Sequence, residues 1–299
     1  MASSPQPLVS VVMLCWNRRD EVNEGLRQLQ RSDYPRLEII VVDNGSEDGT
    51  AAMVASSFPQ VSLLPLPKNI GIAAYNRGFA VATGQYIIVL DDDSYPLPDA
   101  PGKMVSRFER DPTLGVVAFA VRNLSGFAGE AYKRHREGGE AAGCGEQYSF
   151  NGAGFGVRRD LFQRIGWYPE EFFLYWNEQD TAFRLLAAGY RIENCPDIVA
   201  LHKFSPRNRS SERAPFFYTR NAFWLIWKHY PLDLALLTTL RLLFHVVLHS
   251  LEQRSLVYLR AAVAAWRGVS VVAAKRKAVA RQSVLKARIS YENIFTQFR

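Results

Sequence analysis

The sequence predicts an α/β protein with a mostly parallel central sheet flanked by helices and a basic, helical C-terminal appendage. Three observations predict it. Short β-branched runs alternate with helical stretches from Val9 to Leu90, the pattern of βαβ units with right-handed crossovers. Polar residues collect where those runs end. The charge is also divided: of 299 residues carrying a net +7, the part from Lys203 onward holds 17 Lys+Arg against 4 Asp+Glu.

Each element follows from local pattern. Val9 to Cys15 reads as a strand running into Asn17, Arg18 and Arg19, and Asp20 to Arg31 reads as a helix. Leu37 to Val42 is a second strand, ending at Asp43. The turn-rich Asn44-Gly45-Ser46-Glu47-Asp48-Gly49 then leads into a helix over Thr50 to Phe58. Val61 to Leu66 is a third strand. Asn69-Ile70-Gly71 opens an Ala-rich helix reaching Ala82, and Tyr86 to Leu90 is the fourth strand. On a parallel sheet the strand ends share one edge, so Asn17, Asp43 and Asp91 to Asp93 converge on one crevice.

Asp91, Asp92 and Asp93 are the sharpest feature. Adjacent carboxylates repel, and a run of like charge is usually a solvated turn. These three stand at the carboxyl end of a core strand, where open α/β sheets bind ligands. Their oxygens suit Mg²⁺ or Mn²⁺ shared with a substrate phosphate.

The second half is less regular. Ser125 to Gly145 is rich in glycine and charge and reads as a loop ordering over a ligand. Gly152, Gly154 and Gly156 superficially resemble a dinucleotide fingerprint but lie far from the first strand, so they read as sites of close backbone approach to a ligand. Glu178 and Asp180 open a helix after the aromatic patch Phe172 to Trp176. An acid there complements the helix dipole, but an aromatic wall would also raise a carboxylate's proton affinity, as a general base requires. Ile198 to Leu201 is a short strand ending at His202.

Composition, 48% apolar and 22% charged, is that of a folded chain. Cys15, Cys144 and Cys195 are odd in number and lack a CxxC pattern, which predicts a reducing compartment without a disulfide framework or zinc site. With no signal peptide visible, the chain is expected in the cytoplasm, peripheral on the inner face of the membrane.

Together the segments VSVVMLCWNR, LEIIVVDNGSEDGT, NIGIAAYNRGFAVATGQYIIVLDDD, SFNGAGFGVRRDLFQRIGW, WNEQDTAFRL and LHK resemble the family 2 inverting glycosyltransferases with the GT-A fold. The resemblance covers Leu8 to Lys203. It implies a catalytic domain over 1–203 and a UDP- or dTDP-sugar donor whose sugar moves to a glycan or lipid-linked hydroxyl, as in bacterial cell-surface polysaccharide assembly. By the same resemblance Asp43 contacts the nucleobase, with Cys15 and Asn17 lining its pocket. Asn69, Gly71 and Asn76 flank the donor. Asp91 and Asp93 hold the metal, Asp92 reaches the ribose, and His202 is an added metal ligand. Glu178 takes the base position with Asp180 beside it, and Asn151, Gly152 and Trp176 are acceptor-side candidates. The family's frequent E-D-x-D reads Asn177-Glu178-Gln179-Asp180 here. A non-catalytic sugar-nucleotide- or glycan-binding protein and a sugar nucleotidyltransferase are the alternatives.

Residues 204–299 form the basic helical region. Leu232 to Leu251 is long and apolar, but Thr238, Arg241, His245, His249 and Glu252 recur every three or four residues as a polar stripe. That leaves two readings: a helix packed into the appendage, or one lying in a membrane interface. The following cations favour an anionic membrane surface, and no nucleic-acid module is recognisable.

Overall fold

A computed structural model describes residues 6–123, 144–203, 212–287 and 295. The ligand-covering loop expected over 125–145 lies outside them apart from its last two residues. β1 (Val9–Cys15), α1 (Arg19–Leu29), β2 (Leu37–Asp43), α2 (Thr50–Ser57), β3 (Ser62–Pro65), α3 (Tyr75–Val81) and β4 (Tyr86–Asp91) follow the expected alternation. β5 (Ser94–Pro96), α4 (Ala100–Arg110), β6 (Leu114–Asn123), β7 (Gly145–Gln147), β8 (Phe155–Arg158), α5 (Arg159–Ile165), α6 (Asn177–Ala187) and β9 (Arg191–His202) come next. The C-terminal helices are α7 (Arg213–His229), α8 (Leu232–Glu252), α9 (Val257–Arg267), α10 (Val269–Ala274) and α11 (Arg281–Ala287).

The sheet order is β3-β2-β1-β4-β8-β6-β9-β5, with β7 pairing β9. β3, β2, β1 and β4 are parallel. Beyond β4 the sheet is mixed, because β8 enters antiparallel between β4 and β6. The chain reverses direction across the sheet at β1, between β2 and β4, and such a switch point leaves a crevice at the carboxyl ends of the strands. Asn17, Asp43 and the acid triplet border that crevice.

Period-two alternation supplies both faces. Val9, Val11 and Met13 of β1 pack with Leu26, Phe108 and Ile198. Val12 packs with Ile40, Phe79 and Phe162 on the opposite side. The strand expected at Ile198 is the last third of β9, whose register against β6 shifts between Phe119 and Ala120. That strand also pairs with β5 so that His202 lies opposite Ser94, which is how a histidine 109 residues away reaches Asp93.

The helices after residue 203 share a core with the sheet-bearing part. Phe172 and Phe183 pack in one apolar cluster with Phe223, Leu225, Ile226 and Tyr258. α8 buries Ala235, Leu242 and Val246 together with Thr238 and His249 of its polar stripe, and exposes Arg241 and Glu252 of that stripe along with Leu236, Leu240, Phe244 and Leu251. Among the described residues it is the one helix long and apolar enough to cross a membrane by length and composition, with mean hydropathy 1.7.

One expectation is corrected. Cys144 and Cys195 are joined in a disulfide that ties the segment before β7 to β9, and Cys15 alone is a free, buried thiol. Their separation of 51 residues leaves no local motif to read.

Candidate active site

The side of the crevice expected to hold the nucleotide is built from loop carboxamides and one buried acid. Asp43, at the end of β2, is 2% exposed. Its Oδ2 accepts the Ser46 N–H at 3.2 Å, and the Cys15 thiol lies 3.6 Å from Oδ1. Burial and the Asp43 charge push that thiol well above its ordinary pKa, so it sits here as a neutral group. Asn17 adopts a positive φ of 54° and its Oδ1 accepts the Glu47 N–H at 2.8 Å, fastening the β1 and β2 loops together. Asn44, absent from the sequence reading as a site residue, donates to Asn69 Oδ1 and to the Gly71 carbonyl at 3.0 and 3.2 Å. Gly71 has φ +70°, and a Cβ there would stand 2.0 Å from the Phe173 carbonyl oxygen, so only glycine fits.

Asn76 falls elsewhere. Its carboxamide exchanges two 3.0 Å hydrogen bonds with the Tyr168 backbone and so anchors α3 to the segment before α6.

The acid triplet divides. Asp91, Asp93 and His202 offer ligand atoms all within 4.8 Å of one another. His202 Nε2 lies 2.8 Å from Asp93 Oδ1, and the Tyr75 hydroxyl lies 3.1 Å from Asp91 Oδ1. Asp92 instead accepts the Trp16 N–H at 3.4 Å and stands 4.0 Å from Arg18 Nε. Burial, followed by the Asp93 charge, raises the Asp92 carboxyl well above the usual range. Two carboxylates and an imidazole converging on one point are a donor set that fits a divalent cation.

Glu178 and Asp180 are two residues apart and point into different chemistry. Glu178 is half-buried beside Gly152, where a Cβ would meet its Oε1 at 2.1 Å. Burial is the main cause that pushes its carboxyl up to about 7, and the charge of Asp91 adds to it. The Asn177 amide donates to it at 2.7 Å. Asp180 is fully buried beside two cations, Arg184 Nε at 2.8 Å and Lys228 Nζ at 2.7 Å, with the His229 Nε2 also at 2.8 Å. Burial opposes its ionisation, but Arg184, His229 and Lys228 overcome that and hold it well below the usual carboxylate range. Glu171 extends the cluster to Lys228 and Lys275.

Of the three residues expected on the acceptor side, only Gly152 lies against Glu178. Asn151 is exposed and accepts the Ala153 N–H at 2.9 Å. The Trp176 indole donates to the Tyr218 carbonyl at 2.9 Å and is spent on α7. The close approach expected of the other glycines is to protein, not ligand: added Cβ atoms at Gly154 and Gly156 would strike Ala200 and Met104. Sequence reasoning missed Lys228, His229, Arg220 and Asn221. The signal available was two adjacent polar pairs inside the otherwise aromatic and aliphatic FFYTRNAFWLIWKH.

The model of glycosyl transferase family 2 matches residues 10–177, more than half of the chain, and the chain belongs to that family. Its fold is GT-A. A poly-beta-1,6-N-acetyl-D-glucosamine synthase of Staphylococcus epidermidis is 32% identical over 127 residues, 41% of this chain and 31% of the relative. The chain therefore spans under a third of the length of the curated relatives it matches. The mannosyltransferase PcManGT of Pyrobaculum calidifontis, solved with GDP-Man and Mn²⁺, aligns with a TM-score of 0.60 at 22% identity, over 98% of this chain and 88% of that one. S. aureus TarS 1-349, solved with UDP-GlcNAc, aligns at 0.57 and 18% identity, over 73% and 66%.

Proposed function

We propose that the chain is an inverting, metal-dependent glycosyltransferase. It moves a sugar from a UDP- or dTDP-sugar to a hydroxyl of a glycan or lipid-linked acceptor. One observation carries the reading: Asp91, Asp93 and His202 bring their ligand atoms within 4.8 Å of one another, and the Asp91 charge reaches the Glu178 carboxyl and raises its proton affinity.

Asp91, Asp93 and His202 would hold Mg²⁺ or Mn²⁺, whose charge stabilises a departing diphosphate. The chain's own residues do the rest. Asp43, Asn17 and the Asn44–Asn69–Gly71 segment shape the nucleotide pocket. Asp92, held by the Trp16 N–H and near Arg18, would reach the ribose. Glu178 takes the proton of the acceptor hydroxyl as that oxygen attacks the anomeric carbon opposite the leaving group, giving inversion. A carboxylate raised to about 7 is a stronger base than an ordinary one and still half-ionised at neutral pH. Transfer assays with a panel of sugar nucleotides, with and without Mn²⁺, test the reading. Metal-dependent turnover of one uridine or thymidine donor is expected, and metal-independent turnover overturns it.

The acceptor is reached at an anionic membrane surface. What supports this is the outward apolar face of α8 and α9, which includes Leu240, Leu251, Leu259, Val263 and a Trp266 that is 78% exposed. Arg241, Arg254, Arg260 and Arg267 lie on or beside the same helices and complement anionic headgroups, at about 1 kcal/mol each. Flotation with phosphatidylserine vesicles at low salt, but not with neutral ones, is the expected result. No flotation, or self-association of lipid-free protein that hides the face, overturns it.

A further inference from the structure

The five residues before the α6 helix hold an improbable backbone. Phe173 has φ 61° and ψ −45°, and the Leu174 N–H reaches back to the Phe172 carbonyl at 2.7 Å. That is a γ-turn of the rare, strained hand. Tyr175 and Trp176 follow, both with φ 67°. No glycine relieves any of the three. Non-glycine residues in such conformations cost on the order of 1–3 kcal/mol each and persist only where their surroundings over-determine them.

The surroundings are α7. Asn221 is fully buried, and its Nδ2 faces three carbonyl oxygens of this turn: Phe172 at 2.9 Å, Leu174 at 2.6 Å and Tyr175 at 3.2 Å. Its neighbour Arg220 donates to the Phe172 and Glu171 carbonyls at 2.6 and 3.2 Å. Tyr218 stacks on Tyr175 at 4.2 Å. On the far side the Phe173 carbonyl accepts the Ile72 N–H at 2.8 Å, beside Gly71 of the donor segment. The turn thus spans from the nucleotide side of the crevice to the first residues of α6, where Glu178 stands.

We propose that Asn221, supported by Arg220, is a positioning residue for the transfer reaction. By gathering the carbonyls of residues 172 to 175 it fixes the strained turn, and through it the place of the Glu178 carboxylate relative to the donor. α7 thereby completes the active site without touching substrate. This rests on Glu178 as the base. A buried amide facing three carbonyls does more than fill space, because an isosteric oxygen at Nδ2 would repel all three. Displacing a reacting group by about 1 Å costs about 100-fold in rate.

Asn221→Asp and the milder Arg220→Lys test it in the full-length protein. Expected are kcat losses of about 100-fold and about 10-fold, with nucleotide affinity in Mn²⁺ within about 3-fold of the parent. The double variant Asn221→Asp with Glu178→Gln should be no slower than Glu178→Gln alone, since residues acting as one unit are not additive. Losses that multiply in the double variant, or turnover that merely follows the folded fraction, overturn the proposal. So does near-parental kcat in folded Arg220→Lys together with folded Asn221→Asp. Should Asn221→Asp fail to fold, the same cycle is run with Arg220→Lys. A fully active Glu178→Gln would instead remove the base assignment, which separates the two failures.

Discussion

The molecule buries acids in two places and treats them in opposite ways. At the sheet edge Asp91, Asp92 and Asp93 crowd one another, and burial with its neighbours' charges pushes Asp92 upward. At the junction of α6 and α7, Asp180 is met by Arg184, Lys228 and His229, and its carboxyl is held far below the usual range. The first cluster carries an excess of negative charge, which a cation would settle. The second is neutralised from within and staples helices together. Acids two residues apart, Glu178 and Asp180, fall on the two sides of this divide, so sequence distance says little about role.

The contrast can be broken or sharpened by substitution. The largest effect is expected of Asp93→Asn, which should abolish metal-dependent donor binding. Nucleotide affinity that is unchanged by Mn²⁺ in the parent and the variant alike would contradict the metal role. Asp180→Asn should act on stability instead, costing about 3–5 kcal/mol because it strands buried cations. Its carboxyl is depressed in the folded state, so the stabilisation is present above the unfolded value of about 4 and is lost as pH falls below it. The melting difference between parent and variant should therefore shrink on acidification; a constant gap from pH 7 to pH 3 counts against the staple. Glu178→Gln should retain nucleotide affinity and lose at least about 100-fold in turnover. Smallest is the pH effect on the parent enzyme. With Glu178 as the proposed base, its carboxyl pushed up by burial to about 7, kcat should fall about tenfold for each unit below that pH. A flat kcat between pH 5 and 8 would remove Glu178 from the rate-limiting step.

The sheet-bearing part was legible because its signals are local. β-Branched runs, the turn after Asp43 and the acids ending β4 each announce themselves within a few residues, and strand ends on a parallel sheet converge by geometry. His202 was readable for the same reason, although its pairing with Asp93 depends on the β5–β9 register. The junction was not legible. His229 meets Asp180 across 49 residues, and Asn221 meets Phe172 across 49, with no spacing rule to join them. The positive φ of Phe173, Tyr175 and Trp176 runs against their residue types, so tertiary contacts overrule local preference there. The disulfide escaped for want of a motif, and the polar stripe of α8 does not lie on one side of the helix's burial boundary, since Thr238 and His249 are buried and Arg241 and Glu252 are exposed.

The shared core of α6 and α7 bears on how such chains can be cut and recombined. Similarity to the family model stops at residue 177, one position before Glu178. A truncation at residue 203 would keep every sheet strand yet uncover Phe172 and Phe183, strip Lys228 and His229 from Asp180, and release the turn that Asn221 gathers. Exchanging donor specificity between relatives by grafting should therefore succeed when α6 travels with its own α7, and fail when the seam is placed between them. The unit of inheritance here is a helix pair, not the stretch over which sequences look alike.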